Sequence, residues 1–190
     1  MNQISKPIHI INVPLDLGAS RRGTDAGPSA FRVAGLGRQI REMGYTISEE
    51  TDVPVPAMET RKTSDTRTRF KTEILEVCEE LAGHTVAALE AGEWPLVIGG
   101  DHSIAMGTVS GISSYLAKSN QKLGLIWFDA HGDMNLPDST PSGNIHGMPL
   151  SHLLGYGDKD LSSIHGASPA VYPENVALIG IRDIDQKERD

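Results

Sequence analysis

Apolar residues along the chain fall into short continuous runs, separated by longer stretches with helical spacing. The runs IHIINV (8–13), PLVIGG (95–100), LGLIWF (123–128) and NVALIGI (175–181) are rich in β-branched residues and nearly free of charge. Successive residues of a strand point to opposite faces, so a continuous apolar run fits a strand buried on both sides, as in a parallel sheet. YTISEE (45–50) is a more polar fifth candidate and suits an edge. Three helices are expected between these runs. The first, 28–43, opens at a Gly-Pro step and closes before Gly44. The second, 66–91, carries Phe70, Ile74, Val77, Cys78, Leu81, Val86 and Leu89 on one stripe and stops before Gly92. The third, 103–118, is less regular. Strands alternating with helices predict an α/β fold: a doubly wound, mostly parallel sheet in three layers, α/β/α. Turn residues concentrate in 15–28 and 136–144, which read as loops and not as linkers, so residues 1–190 are expected to form one domain.

In open α/β sheets, ligands gather at the carboxyl ends of the strands. Three polar clusters occupy such positions: Gly99-Gly-Asp101-His102-Ser103, Asp129-Ala-His131-Gly-Asp133 and Arg182-Asp183-Ile-Asp185. If extended geometry persists beyond Phe128, then Asp129, His131 and Asp133 share one face. Two carboxylates and an imidazole pressed together repel and lose hydration unless a cation sits among them. Oxygen-rich coordination with imidazole favours manganese or magnesium over a thiolate-type zinc site. The competing reading makes Asp129 or Asp133 a turn or helix-cap acceptor of backbone N–H groups. His102 alone reads as a turn residue; beside the 129–133 cluster it reads as a ligand. Residues 142–147 (SGNIHG) are either a polar turn, with a short helix at 146–154 capped by Asn144, or a substrate contact. In the second case Ser142 and Asn144 meet a carboxylate and His146 moves a proton. Asp183 and Asp185 equally fit a solvated strand end.

Composition narrows the function. The net charge of -8 argues against sequence-independent nucleic-acid binding, which needs a basic surface. Cys78 is the single cysteine, so no intrachain disulfide forms, and its place on the apolar helix stripe makes it a packing residue. The first residues, with one lysine and a short apolar run broken by Asn12 and Pro14, resemble neither a signal peptide nor a membrane span. A soluble cytoplasmic protein is therefore the expectation.

The motifs GGDHS (99–103), FDAHGDMN (128–135) and SGNIHG (142–147), with LGASRRGTDAGP (17–28) before them and GIRDIDQKE (180–188) after them, together resemble the successive signatures of the arginase (ureohydrolase) family. The resemblance runs in order over essentially the whole chain. It implies an arginase-like α/β fold, two Mn²⁺ ions, and hydrolysis of L-arginine to L-ornithine and urea. Carried over by position, His102 and Asp133 would bind one manganese, His131 the other, and Asp129 would bridge both. Asn135, Ser142 and Asn144 would hold the substrate α-carboxylate, and His146 would shuttle the proton. Asp183 and Asp185 would lie near the α-ammonium, Asp185 being the closer. A homo-oligomer is the assembly expected. Members of this family also carry a later Ser-x-Asp-x-Asp strand end and a further glutamate, neither of which matches in residues 1–190. Four ligands are too few for two ions, so the chain is expected to be a fragment or a short homologue with weak metal binding. Agmatinase-type or formimidoylglutamase-type chemistry, and a non-catalytic metal-binding relic, are the alternatives.

Overall fold

The computed structural model describes residues 6–63 and 65–189. Five strands and six α-helices alternate through it. They are β1 (Ile8–Val13), α1 (Gly27–Val33), α2 (Leu36–Glu42), β2 (Ile47–Asp52), α3 (Lys71–Glu90), β3 (Trp94–Gly99), α4 (Ile104–Ala117), β4 (Leu125–Phe128), α5 (Pro149–Leu153), β5 (Val176–Ile179) and α6 (Gln186–Arg189). Every strand pairing between them is parallel. The fold is α/β, as the alternation of runs and helical stretches predicts.

The strands pair as two separate sheets among the described residues. The first has the order β2-β1-β3, and the second consists of β4 and β5. In the first sheet β1 lies in the middle, and residues 9–13 are all buried. Its two faces feed different clusters, as a period of two requires. Ile11 and Val13 pack with Ile74, Val77, Cys78 and Leu81 of α3, whereas Ile10 packs with Ile98 of β3 and Ile40 of α2. In the second sheet Trp127 packs against Val109 of α4 and Leu150 and Leu153 of α5. The opposite face of β4 carries Ile126 and Phe128, which are 69% and 80% exposed.

Three helices differ from the sequence expectation. The single helix expected over 28–43 is two helices, because Gly35 takes a left-handed conformation at φ 76 and restarts the chain as α2. The helix expected from 66 begins at Lys71, because Phe70 lies at φ 55 and residues 66–69 instead pack against the 142–144 loop. The helix expected over 146–154 is a 3₁₀ turn at Ile145–Gly147 followed by α5, and the Asn144 side chain does not cap it.

Candidate functional site

β3 ends at Gly99 and β4 at Phe128, and the chain beyond each strand turns into a common cleft of about 380 Å³. Its walls include His102, Asp129, His131, Asp133, Asn135 and His146, with Asp183, Asp185 and Glu188 opposite. The chain bends at 129–130, pairs once more in parallel at His131 with Asp183, and then departs from strand geometry at Asp133. β4 stops at Phe128, and Asp133 sits at φ 51, so alternation along a strand is not what gathers these side chains. A sharp turn does so instead. Asp129 Oδ1 accepts the His131 backbone N–H at 2.9 Å, which is the turn contact considered as the competing reading. Its other oxygen remains directed at His102. The same aspartate therefore serves both readings.

His102, Asp129 and Asp133 form the tight cluster. Their ligand atoms lie within 4.8 Å of one another. His102 Nδ1 is 2.7 Å from Asp133 Oδ2 and 2.9 Å from Asp129 Oδ2. A single ring nitrogen carries at most one proton, so it cannot make two good hydrogen bonds to two carboxylates. Convergence of three donors on one point fits a cation better than a proton. Burial opposes charge on His102, but the hydrogen bond and charge of Asp133, joined by those of Asp129, raise its pKa above the usual value. For Asp129, burial works against ionisation, and the His131 N–H together with the His102 charge holds the carboxyl below its usual range. The His102 ring also stacks on Trp127, with centroids 4.3 Å apart and planes at 24°.

His131 stands outside this cluster. Its side chain is 59% exposed, with Nδ1 3.2 Å from Asp129 Oδ1 and Nε2 3.9 Å from Asp183 Oδ2. It thus lies on the far side of Asp129 from His102, so Asp129 alone touches both imidazoles. Asn135 donates from Nδ2 to Asp185 Oδ2 at 2.8 Å and accepts at Oδ1 from Ser139. That amide is committed to an acidic partner. The Asn135 hydrogen bond, followed by the Glu188 N–H, lowers the Asp185 pKa. Asp183 is largely exposed, its side chain 82% so. His146 lines the cleft, and its backbone N–H donates to the Gly18 carbonyl at 3.2 Å. Ser142 and Asn144 are not among the cleft-lining residues; they belong to the loop that leads into His146.

Two contributors escaped the sequence reading. Glu188 accepts the N–H groups of Met134 and Asp185 at 3.0 and 3.1 Å, joining α6 to the 129–135 loop. Its spacing from Asp185, one helical turn, was the available signal. Asp101 is buried and accepts from Gly18 N and Ser103 N at 2.8 and 2.9 Å, which binds the 15–20 loop to the end of β3. Burial raises its pKa despite these hydrogen bonds.

The scaffold is parallel α/β, and a histidine–carboxylate cluster whose ligand atoms are spaced as a cation site requires lies at its strand ends. The chain belongs to the arginase family, whose model matches residues 6–190. It is 46% identical over 185 residues to the arginase of Bacillus caldovelox, covering 97% of this chain and 60% of that protein. The native structure of that enzyme superposes with a TM-score of 0.89. The arginase of Brevibacillus brevis is 46% identical, with 98% of this chain and 61% of the relative covered. Entamoeba histolytica arginase, solved in complex with L-ornithine, is 32% identical with a TM-score of 0.84, over 97% of this chain and 60% of that one. The chain therefore spans about 60% of the length of these relatives. Among the described residues, no helix is long and apolar enough to cross a membrane.

Proposed function

We propose that this chain carries the metal-binding and substrate-reading part of a binuclear manganese hydrolase that converts L-arginine to L-ornithine and urea. The observation that carries the proposal is the convergence of His102, Asp129 and Asp133 on one point of the cleft. His102 and Asp133 would hold one Mn²⁺, His131 the other, and Asp129 both. The donor set fits, since hard carboxylate oxygens and imidazole nitrogens suit manganese. When bound, the ion pair supplies positive charge against the developing negative charge and lowers the pKa of water toward about 7. Asp133 thereby serves the catalytic centre as well as holding metal. His146, on the cleft wall, delivers a proton to the departing amine nitrogen, the general-acid role an imidazole can fill. Asp185, steadied by Asn135, faces the α-ammonium, with Asp183 further out. Ser142 and Asn144 donate to the α-carboxylate, and Asn135 adds the Nδ2 proton that Asp185 does not take.

The L-ornithine held by the Entamoeba histolytica relative supports an amino-acid substrate over agmatine or a formimidoyl compound. One observation favours a second reading for residues 1–190 by themselves. Among the described residues three donors converge, which fits one ion better than two, as in a metal-binding relic. Residues 1–190 as one domain, a homo-oligomer and a cytoplasmic location complete the proposal. The exposed apolar face of β4 supports association, the acidic balance disfavours nucleic acid, and a lone buried thiol suits a reducing compartment.

The test is manganese titration of the wild type and of Asp129→Asn, with urea release measured alongside. The substitution removes a shared anionic ligand at almost constant size, so affinity is expected to fall by at least about tenfold. Unchanged manganese content and an unchanged thermal shift would remove Asp129 as the shared ligand.

A further inference from the structure

The floor of the cleft is acidic, but Arg69, on the segment that meets the 142–144 loop, has no carboxylate partner among the described residues. Arg69 makes no ion pair among the described residues, whereas its neighbour Arg67 pairs with Asp138, and Arg22 reaches Asp16, Asp25 and Glu59. Arg69 is half-buried and anchored. Its backbone N–H donates to the Gly143 carbonyl at 3.0 Å, and its guanidinium lies 5.9 Å from the Phe70 ring centroid. A Cβ on Gly143, which sits at φ +72, would come within 2.0 Å of the Thr66 carbonyl, so the two segments are in close contact. Arg69 is thus fixed next to Ser142 and Asn144.

The hydrogen bonds there have a direction. A guanidinium can only donate. Arg69 Nη1 lies 3.4 Å from Ser20 Oγ, so Ser20 is the acceptor, and its own hydroxyl proton goes to Asn144 Oδ1 at 2.9 Å. This engages the Asn144 carbonyl oxygen, while Asn144 Nδ2 makes no hydrogen bond among the described residues. Ser142 Oγ similarly accepts the Asn144 backbone N–H at 3.2 Å, which leaves the Ser142 hydroxyl proton free to donate. The contact at 3.4 Å is long for a hydrogen bond, so the Arg69 charge is held near Ser20 without being consumed by it. Free donors and an unpaired cation beside one another fit an anionic group and disfavour a ligand that lacks one.

We propose that Arg69 is a positioning residue that, through Ser20, sets the Asn144 amide to receive a substrate α-carboxylate and so favours amino acids over their decarboxylated amines. This rests on the L-arginine reading given above. The experiment measures binding of L-arginine and of agmatine to the Mn²⁺-loaded chain by calorimetry, for the wild type, Arg69→Met, Arg69→Lys and Ser20→Ala. The Asn144 side-chain amide is followed by ¹⁵N NMR. In Arg69→Met the ratio of arginine to agmatine affinity is expected to fall by roughly two- to tenfold, as for loss of one hydrogen bond that orients the amide. Arg69→Lys should restore part of that ratio, and Ser20→Ala should lower it while shifting the Asn144 amide signals. A wild type that prefers arginine, together with an Arg69→Met variant of unchanged ratio, overturns the role of Arg69 and leaves the substrate reading intact. A wild type that holds both ligands equally, or neither, overturns the substrate reading and this inference with it.

Discussion

The two sheets of this molecule are built from similar apolar runs but are buried to very different degrees. β1 has α2 on one face and α3 on the other, so both parities of its side chains lie in a core. β4 is backed on one face only, by α4 and α5, while Ile126 and Phe128 on its other face meet solvent. β5 is similar, with Leu178 and Ile179 more than two-fifths exposed. The site draws on both sheets. His102 follows β3 of the first sheet, and Asp129 and Asp133 follow β4 of the second. The cluster therefore depends on the alignment of a well-supported sheet with a half-supported one.

The largest effect is expected at Trp127, which is 3% exposed and stacks on His102. Trp127→Ala removes a core side chain and a ligand support together, and should cost about 3–5 kcal/mol. Chemical denaturation would measure this, with hydrogen exchange locating the loss in β4 and β5. An equal rise in exchange in β1 would show that the two sheets melt as one unit.

A smaller, pH-dependent effect should come from His152 on α5, behind the second sheet. Burial lowers its pKa, against the opposing influence of the Met148 carbonyl and Asp158. The neutral ring accepts the Asp158 N–H at Nε2, 3.1 Å away. The folded chain thus binds fewer protons here than the unfolded chain, whose histidine titrates near 6.5. Stability from this contact is complete above that value and is lost as pH falls through the folded pKa. Thermal melts from pH 7.5 down to 5 should show His152→Gln flattening the acid slope, and a parallel slope in both proteins would exclude His152 as its source.

The smallest effect is expected at Phe128, 80% exposed on the bare face of β4. Phe128→Ser should change stability by no more than about 0.5 kcal/mol, yet it should reduce self-association, because exposed apolar surface promotes contact between chains. Sedimentation at several concentrations would check this. An unchanged association state would direct attention to β5.

The sequence was most legible where burial was most complete. IHIINV reads as a strand because both of its faces are covered, and β1 spans the same residues. Helix ends were less legible, because their causes are tertiary: residues 66–69 stay out of α3 through contact with the 142–144 loop. Within the site, the side chains of His102, Asp129 and Asp133 could be named from their strand-end positions. The reason for their meeting could not, since a turn with Asp133 at φ 51 gathers them and extended spacing does not. Arg69 carried no signal at all, because its neighbours Ser20 and Asn144 are distant in the chain.

The stack of His102 on Trp127 also gives the protein an optical signature. Its two tryptophans stand in different sheets and different surroundings: Trp94 on β3 is 61% exposed, and Trp127 on β4 is 3% exposed. Emission from the first belongs at the red end of the indole range and from the second at the blue end. Protonation of His102 is expected to change the blue band and leave the red band unchanged, which emission spectra across a pH titration would check. Ion arrival, acid titration and separation of the two sheets can each be followed as a change in colour, with no label added to the chain.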